Sequence, residues 1–321
     1  MEISDIQVIS EKLIANIEKV IVGKRGVIEK ALVSLYCRGH ILLEDVPGLG
    51  KTMLARAVAR SIDATFKRIQ GTPDLLPMDI IGVSIYNPEI RKFEYRKGPI
   101  FAQIILVDEV NRATPKTQSA MLEAMGESQV SIEGMTIPLP DPFFVIATEN
   151  PIEFEGTFPL PEAQMDRFFI SLKIGYPAPE EEEEVIMMQA GRHPIYTLEP
   201  VISTSDIIQV QNLAGTVHVD KSLRAYIVSI TGSTRIDPDL ELGASPRGSI
   251  ALYKASQALA ALKGRDFVIP EDIKVLAPEV LKHRIILRSE AKLKNLKPEN
   301  IIAKILSNTP VPIQADPGQP K

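Results

Sequence analysis

"GHILLEDVPGLGKTMLARAVA", residues 39 to 59, reads as strand, loop and helix in succession: the apolar run Ile41 to Leu43, a turn rich in glycine and proline, then an amphipathic segment. A phosphate-binding loop requires that order, because it must end where a helix offers unpaired backbone N–H groups. Gly48 and Gly50 let the backbone turn those groups inward, where side chains would collide. Lys51 can reach the β- and γ-phosphates, and the Thr52 hydroxyl can ligate Mg²⁺. Pro47, Leu49 and Met53 complete the stretch expected to touch nucleotide. Asp45 departs from the common G-x-x-x-x-G-K-[ST] form by standing at its first glycine. A carboxylate aimed at a triphosphate would be repelled, so Asp45 is expected to turn away and accept hydrogen bonds from loop N–H groups.

Outward from this loop, up to about residue 175, the runs "TFKRIQ", "AQIILVDE", "PFFVIATEN" and "DRFFISLKI" alternate with helical patterns such as "TQSAMLEAMGE". Short apolar runs alternating with amphipathic segments imply parallel strands with crossover helices on both faces. From about residue 185 the periodicity is helical almost throughout, so a second, all-helical domain is expected. The junction "YPAPEEEEEVI" ends a strand with prolines and opens a helix with glutamates, which the helix dipole favours there. The proline-rich tail "NTPVPIQADPGQPK" is expected to fray.

Further polar residues stand at ends of the strand-like runs. "IILVDE" places Asp108 and Glu109 at the carboxyl edge of a buried strand, where an α/β sheet binds ligands. Asp108 would hold the Mg²⁺ shell and Glu109 would orient and deprotonate the attacking water; an acid pair could also cap the strand. Asn150 ends "FFVIATEN" and either positions that water, senses the γ-phosphate, or forms a turn before Pro151. Arg167 precedes a strand and Arg247 opens a helix, places where arginines commonly serve only as surface residues.

The 321 residues suit two domains, each large enough for a core. A net charge of -5 argues against bulk nucleic acid as the main partner. Cys37 is the sole cysteine, expected to be a small buried hydrophobe, so no intrachain disulfide can form. The mixed charges of the first 23 residues fit neither a signal peptide nor a membrane span, and a cytoplasmic enzyme is the default. His40, His193, His218 and His283 are scattered, without transition-metal spacing.

Taken in order, "GHILLEDVPGLGKTMLARAVA", "RIQGTPDLLPMDIIG", "GPIFAQIILVDEVNRATPKTQSAMLEAMGESQVSIEG", "FFVIATENP", "GTFPLPEAQMDRF" and "ASPRGSIALYKASQALAALKGRDFVIPEDIKVLAPEVLKHRI" resemble the MoxR family of AAA+ ATPases over nearly the whole chain. The resemblance implies a P-loop core with a five-stranded parallel sheet, residues 1–176, followed by a helical lid, residues 177–321. It implies a helix-2 insert within 71–103 and a hairpin near 128–142, turning at Glu133-Gly134. It makes Lys51 and Thr52 Walker A, Asp108 and Glu109 Walker B, Asn150 sensor 1, Arg167 an arginine finger reaching a neighbouring subunit, and Arg247 sensor 2. Val22 and Gly23, in "VIVGKRGVIEKAL", match the adenine-contacting segment, although a plain approach to a helix reads the same.

The implied activity is Mg²⁺-dependent ATP hydrolysis in a ring, a hexamer, that remodels client complexes with a partner bearing a von Willebrand factor A domain. Three other readings remain: the ATPase subunit of a magnesium chelatase, a nucleotide-regulated scaffold that does not turn ATP over, and a nucleic-acid translocase. Glu109 counts against the scaffold, and the acidic balance counts against the translocase.

Overall fold

The computed structural model describes residues 1–132, 134–150, 156–189, 191 and 193–312. Glu133 at the expected hairpin turn, Pro151 after Asn150, and the tail from 313 onward lie outside the described residues.

Helices α1 (Ile3–Glu18) and α2 (Arg25–Tyr36) precede strand β1 (Ile41–Glu44), and the loop after β1 opens α3 (Lys51–Ser61). Strand β2 (Phe66–Gln70) follows, then α4 (Pro77–Ile81) and the hairpin of β3 (Gly82–Asn87) with β4 (Lys92–Lys97). Next come β5 (Ile104–Asp108), α5 (Pro115–Glu127) and a second hairpin, β6 (Gln129–Ile132) with β7 (Met135–Pro138). Strand β8 (Phe144–Glu149), α6 (Glu162–Met165) and β9 (Ile170–Leu172) end the sheet region. The two hairpins, at 82–97 and 129–138, lie between strands of the main sheet.

Five strands form one parallel sheet in the order β2-β5-β8-β1-β9. Successive side chains of a strand face opposite ways. Ile41 and Leu43 of β1, Ile104 and Leu106 of β5, and Phe144 and Ile146 of β8 enter one core, which continues into α1, α2, α3 and the helical region. Leu42, Ile105, Val107, Val145 and Ala147 enter the other, under α5 and the hairpins. Burial on both faces explains why these strands read as unbroken apolar runs. Truncating Leu106 to Ala would cost about 2–5 kcal/mol by leaving a cavity between two packed layers.

Beyond β9 the chain forms α7 (Pro179–Gln189), α8 (Thr204–Ala214), α9 (Lys221–Ile236), α10 (Pro246–Leu262), α11 (Pro270–Leu281), α12 (Ser289–Leu293) and α13 (Pro298–Asn308). Prolines at the first position start α5, α10, α11 and α13, where the missing N–H would be unpaired anyway. The helical region also carries a short antiparallel pair, β10 (Leu240–Leu242) with β11 (Ile286–Leu287). Alanines on α10 allow the close approach of α2, α9 and α11, so the N-terminal helices pack on the lid as well as on the sheet.

Candidate active site

Strands β5, β8 and β1 are neighbours in the sheet, so their carboxyl ends gather Asp108, Glu109, Asn150 and the phosphate loop at one edge. Between them lies a cleft of about 420 Å³. Pro47, Gly48, Gly50, Lys51, Thr52 and Met53 form one wall; Asp108, Glu109 and Asn150 face them; Leu49 belongs to the loop without lining the cleft. Gly50, at φ +83, caps α3 in the left-handed region that side-chain-bearing residues avoid. That cap sets the first N–H groups of α3 toward the cleft.

Lys51 is buried, and its Nζ donates to the carbonyl of Asp45 at 2.6 Å. Burial draws its ammonium below the usual lysine value, while Asp108, Asp45 and Glu109 oppose that shift. Asp45 does turn away from the cleft, but the expected partners are wrong. Its carboxylate accepts the backbone N–H of Ile174, just beyond β9, at 2.5 Å. Because β9 pairs with β1, the chain leaving β9 passes beside Asp45 and offers that donor.

Asp108 is oriented by Thr148, whose hydroxyl donates to Oδ1 at 2.7 Å and accepts the N–H of Glu109 at 2.9 Å. Glu109 itself adopts φ 55, ψ 54, a left-handed conformation costing about 1 kcal/mol or more for a residue with a side chain. Gly71 permits the close passage of this strained turn, since a Cβ there would stand 2.1 Å from the carbonyl oxygen of Glu109. Two residues of β2, absent from the sequence reading, complete the cleft. Arg68 donates to Asp108 Oδ2 at 2.5 Å, and Gln70 donates to Glu109 Oε2 at 3.0 Å. Arg112 reaches the same Glu109 oxygen at 3.2 Å. The available signal was strand pairing: β2 lies beside β5 with Gln70 opposite Asp108.

Arg167 and Arg247 are not brought to this cleft. Both are exposed and line a second one, of about 310 Å³, with Arg38, Lys254, Asp166 and Arg284. Arg167 Nη1 donates to the carbonyl of Leu122 on α5 at 2.7 Å.

A family model described as "ATPase family associated with various cellular activities (AAA)" matches residues 40–170, and an AAA lid domain model matches residues 232–305. The chain is 42% identical to "Chaperone MoxR1" of Mycobacterium tuberculosis, over 96% of this chain and 84% of that protein. The chain belongs to the MoxR family of AAA+ ATPases. It is 54% identical to the uncharacterized protein YeaC of Bacillus subtilis (strain 168), over 97% of each chain. A solved structure of a Cytophaga hutchinsonii protein superimposes with a TM-score of 0.90 at 40% identity, over 96% of both chains. The tobacco magnesium-chelatase subunit ChlI is 30% identical over 70% of this chain and 51% of that protein.

As a MoxR-family ATPase the protein hydrolyses ATP, and its cleft has the donor types for a metal-bound triphosphate. Asp108 and Thr52 present hard oxygens on facing walls, with the Asp108 carboxylate held in place by Thr148, and such oxygens suit Mg²⁺. Val22 and Gly23 lie outside the cleft lining, while Ile21 beside them packs near Gly50. Glu149, next to Asn150, is paired in register with Glu44; burial and then Glu44 push its carboxyl up to about 7.

The remaining candidates are structural. His40 is buried; its Nδ1 accepts the N–H of Val145 at 3.1 Å and its Nε2 donates to the carbonyl of Met125 at 3.1 Å, while burial lowers its pKa to about 4. Cys37 is half-buried rather than enclosed, because it borders the arginine cleft, and its thiol donates to the carbonyl of Lys254 at 3.3 Å. Among the described residues no group of three or more His, Cys, Asp and Glu side chains is placed to hold a metal ion, and no helix is long and apolar enough to cross a membrane.

Proposed function

We propose that the protein is a cytoplasmic ring ATPase, a hexamer, in which each active site is completed by two subunits and hydrolysis remodels or activates client protein complexes. The carrying observation is the separation of Arg167 and Arg247 from the cleft that holds Lys51, Thr52, Asp108 and Glu109. In this reading the α/β core spans 1–176 and the lid 177–321.

ATP binds with its phosphates against the N–H groups from Pro47 to Met53 and against Lys51, and with its base near Val22 and Gly23. Thr52 and Asp108 would hold Mg²⁺, which when bound neutralises phosphate charge. Glu109, aimed by the strained backbone and by Gln70, accepts the proton of the attacking water. Asn150 positions that water. Arg167 of the adjacent subunit, assisted by Arg247, stabilises the charge that develops at the γ-phosphate. The similarity to a protein named as a chaperone supports the client reading, and a partner with a von Willebrand factor A domain follows from the family resemblance.

The similarity to ChlI favours a chelatase motor as the second reading. The test is ATPase rate per subunit against protein concentration, with particle mass measured in ATP. A rate that rises as rings form supports the proposal; full activity in a monomer overturns it. Metal insertion into porphyrin on adding chelatase partner subunits would instead establish the second reading.

A further inference from the structure

We propose that Asp166 is a positioning residue that holds Arg167 and Arg247 in one fixed arrangement for the neighbouring subunit's phosphates. The proposal rests on the reading of Arg167 as acting across the subunit boundary.

Asp166 sits beside Arg167 in the core, yet both of its carboxylate oxygens are taken by the lid. Oδ1 accepts from Arg284 Nε at 2.7 Å, and Oδ2 accepts from the Ser245 hydroxyl at 3.0 Å. Arg284 is buried and grips the same segment again, donating from Nη2 to the carbonyl of Phe168 at 2.6 Å and from Nη1 to that of Phe169 at 3.1 Å. The short stretch that carries Arg167 is therefore fixed on its far side by one guanidinium of the lid. Ser245 makes the second link: it is the N-cap of α10, and its Oγ accepts the N–H of Arg247 at 3.2 Å. A continuous path of bonds thus joins the base of one exposed arginine to the base of the other. Charge-assisted bonds of this kind are directional, and an arginine displaced by about 1 Å loses most of its value to a transition state.

The same bonds could merely fasten lid to core. A fastening role would alter the subunit's own nucleotide site, whereas a positioning role acts on the neighbour's. The experiment compares kcat, KM for ATP and nucleotide affinity for Asp166→Asn, then mixes that variant with equal Glu109→Gln subunits. The expected result is a kcat reduced about tenfold or more, with KM and affinity changed less than about twofold. Mixing should raise the rate above the sum of the two parents, because an Asp166→Asn site with intact Glu109 then meets an intact arginine pair. Wild-type kcat in Asp166→Asn, or a loss that Glu109→Gln subunits do not relieve, overturns the proposal. Arg167→Ala mixed with Glu109→Gln runs alongside: if that pair fails to complement, the cross-boundary reading itself falls. If it complements while Asp166→Asn does not, the positioning role alone falls. Should Asp166→Asn not fold, Ser245→Ala carries the test under the same criteria, and wild-type kcat there overturns the proposal.

Discussion

The two clefts of this chain are built in opposite ways. In the phosphate cleft and its rim, Arg68 and Arg112 pair directly with Asp108 and Glu109, and Lys51, bonded to the backbone carbonyl of Asp45, lies in the field of Asp108, Asp45 and Glu109. In the arginine cleft, Arg38, Arg167, Arg247, Lys254 and Arg284 face the two acids Glu127 and Asp166 among its lining residues. The first is balanced within one chain; the second presents excess positive charge that suits a polyanion supplied from outside. Charge balance thus separates a site that binds from a surface that is offered.

Substitutions on the two sides should fail differently. Arg167→Ala is expected to reduce turnover about a thousandfold while leaving ATP affinity intact, as read by single-turnover kinetics and equilibrium binding. Glu109→Gln should lower turnover roughly a hundredfold with ATP still bound, since only the proton acceptor is lost. If either variant instead lost ATP binding, the division between binding and offered surfaces would collapse.

A stability measurement sharpens the electrostatic side. Glu149 is raised to about 7 from an ordinary value of 4.5, so the folded state favours the protonated acid. That contribution is full below pH 4.5 and is lost as the pH rises through about 7. Glu149→Gln should therefore unfold at higher denaturant than wild type above pH 7, by on the order of 2 kcal/mol, and match it in acid. The smallest effect is expected at Arg68, whose half-exposed pairing with Asp108 competes with a cation. Arg68→Ala should lower the Mg²⁺ concentration for half-maximal turnover by about threefold, measured by metal titration.

The legibility of these features follows the same division. Strands β1, β5 and β8 were readable because burial on both faces makes each an apolar run, and the loop was readable because glycines, Lys51 and Thr52 lie within a few residues of one another. Arg68 and Gln70 were missed because β2 shows its polar residues no differently from a surface strand until β5 is placed beside it. Asp45 was assigned the wrong donor for a similar reason: Ile174 is distant in sequence and arrives through the pairing of β1 with β9. The path from Asp166 to Arg284 and Ser245 spans separations that no local spacing encodes.

The central claim, that each active site needs an arginine from its neighbour, is tested most directly by adding Arg167→Ala subunits to a fixed amount of wild type already assembled in ATP. Turnover per wild-type subunit should fall steadily as variant neighbours replace wild-type ones. A turnover that stays constant across the titration, with mixed rings verified by mass, would contradict the account.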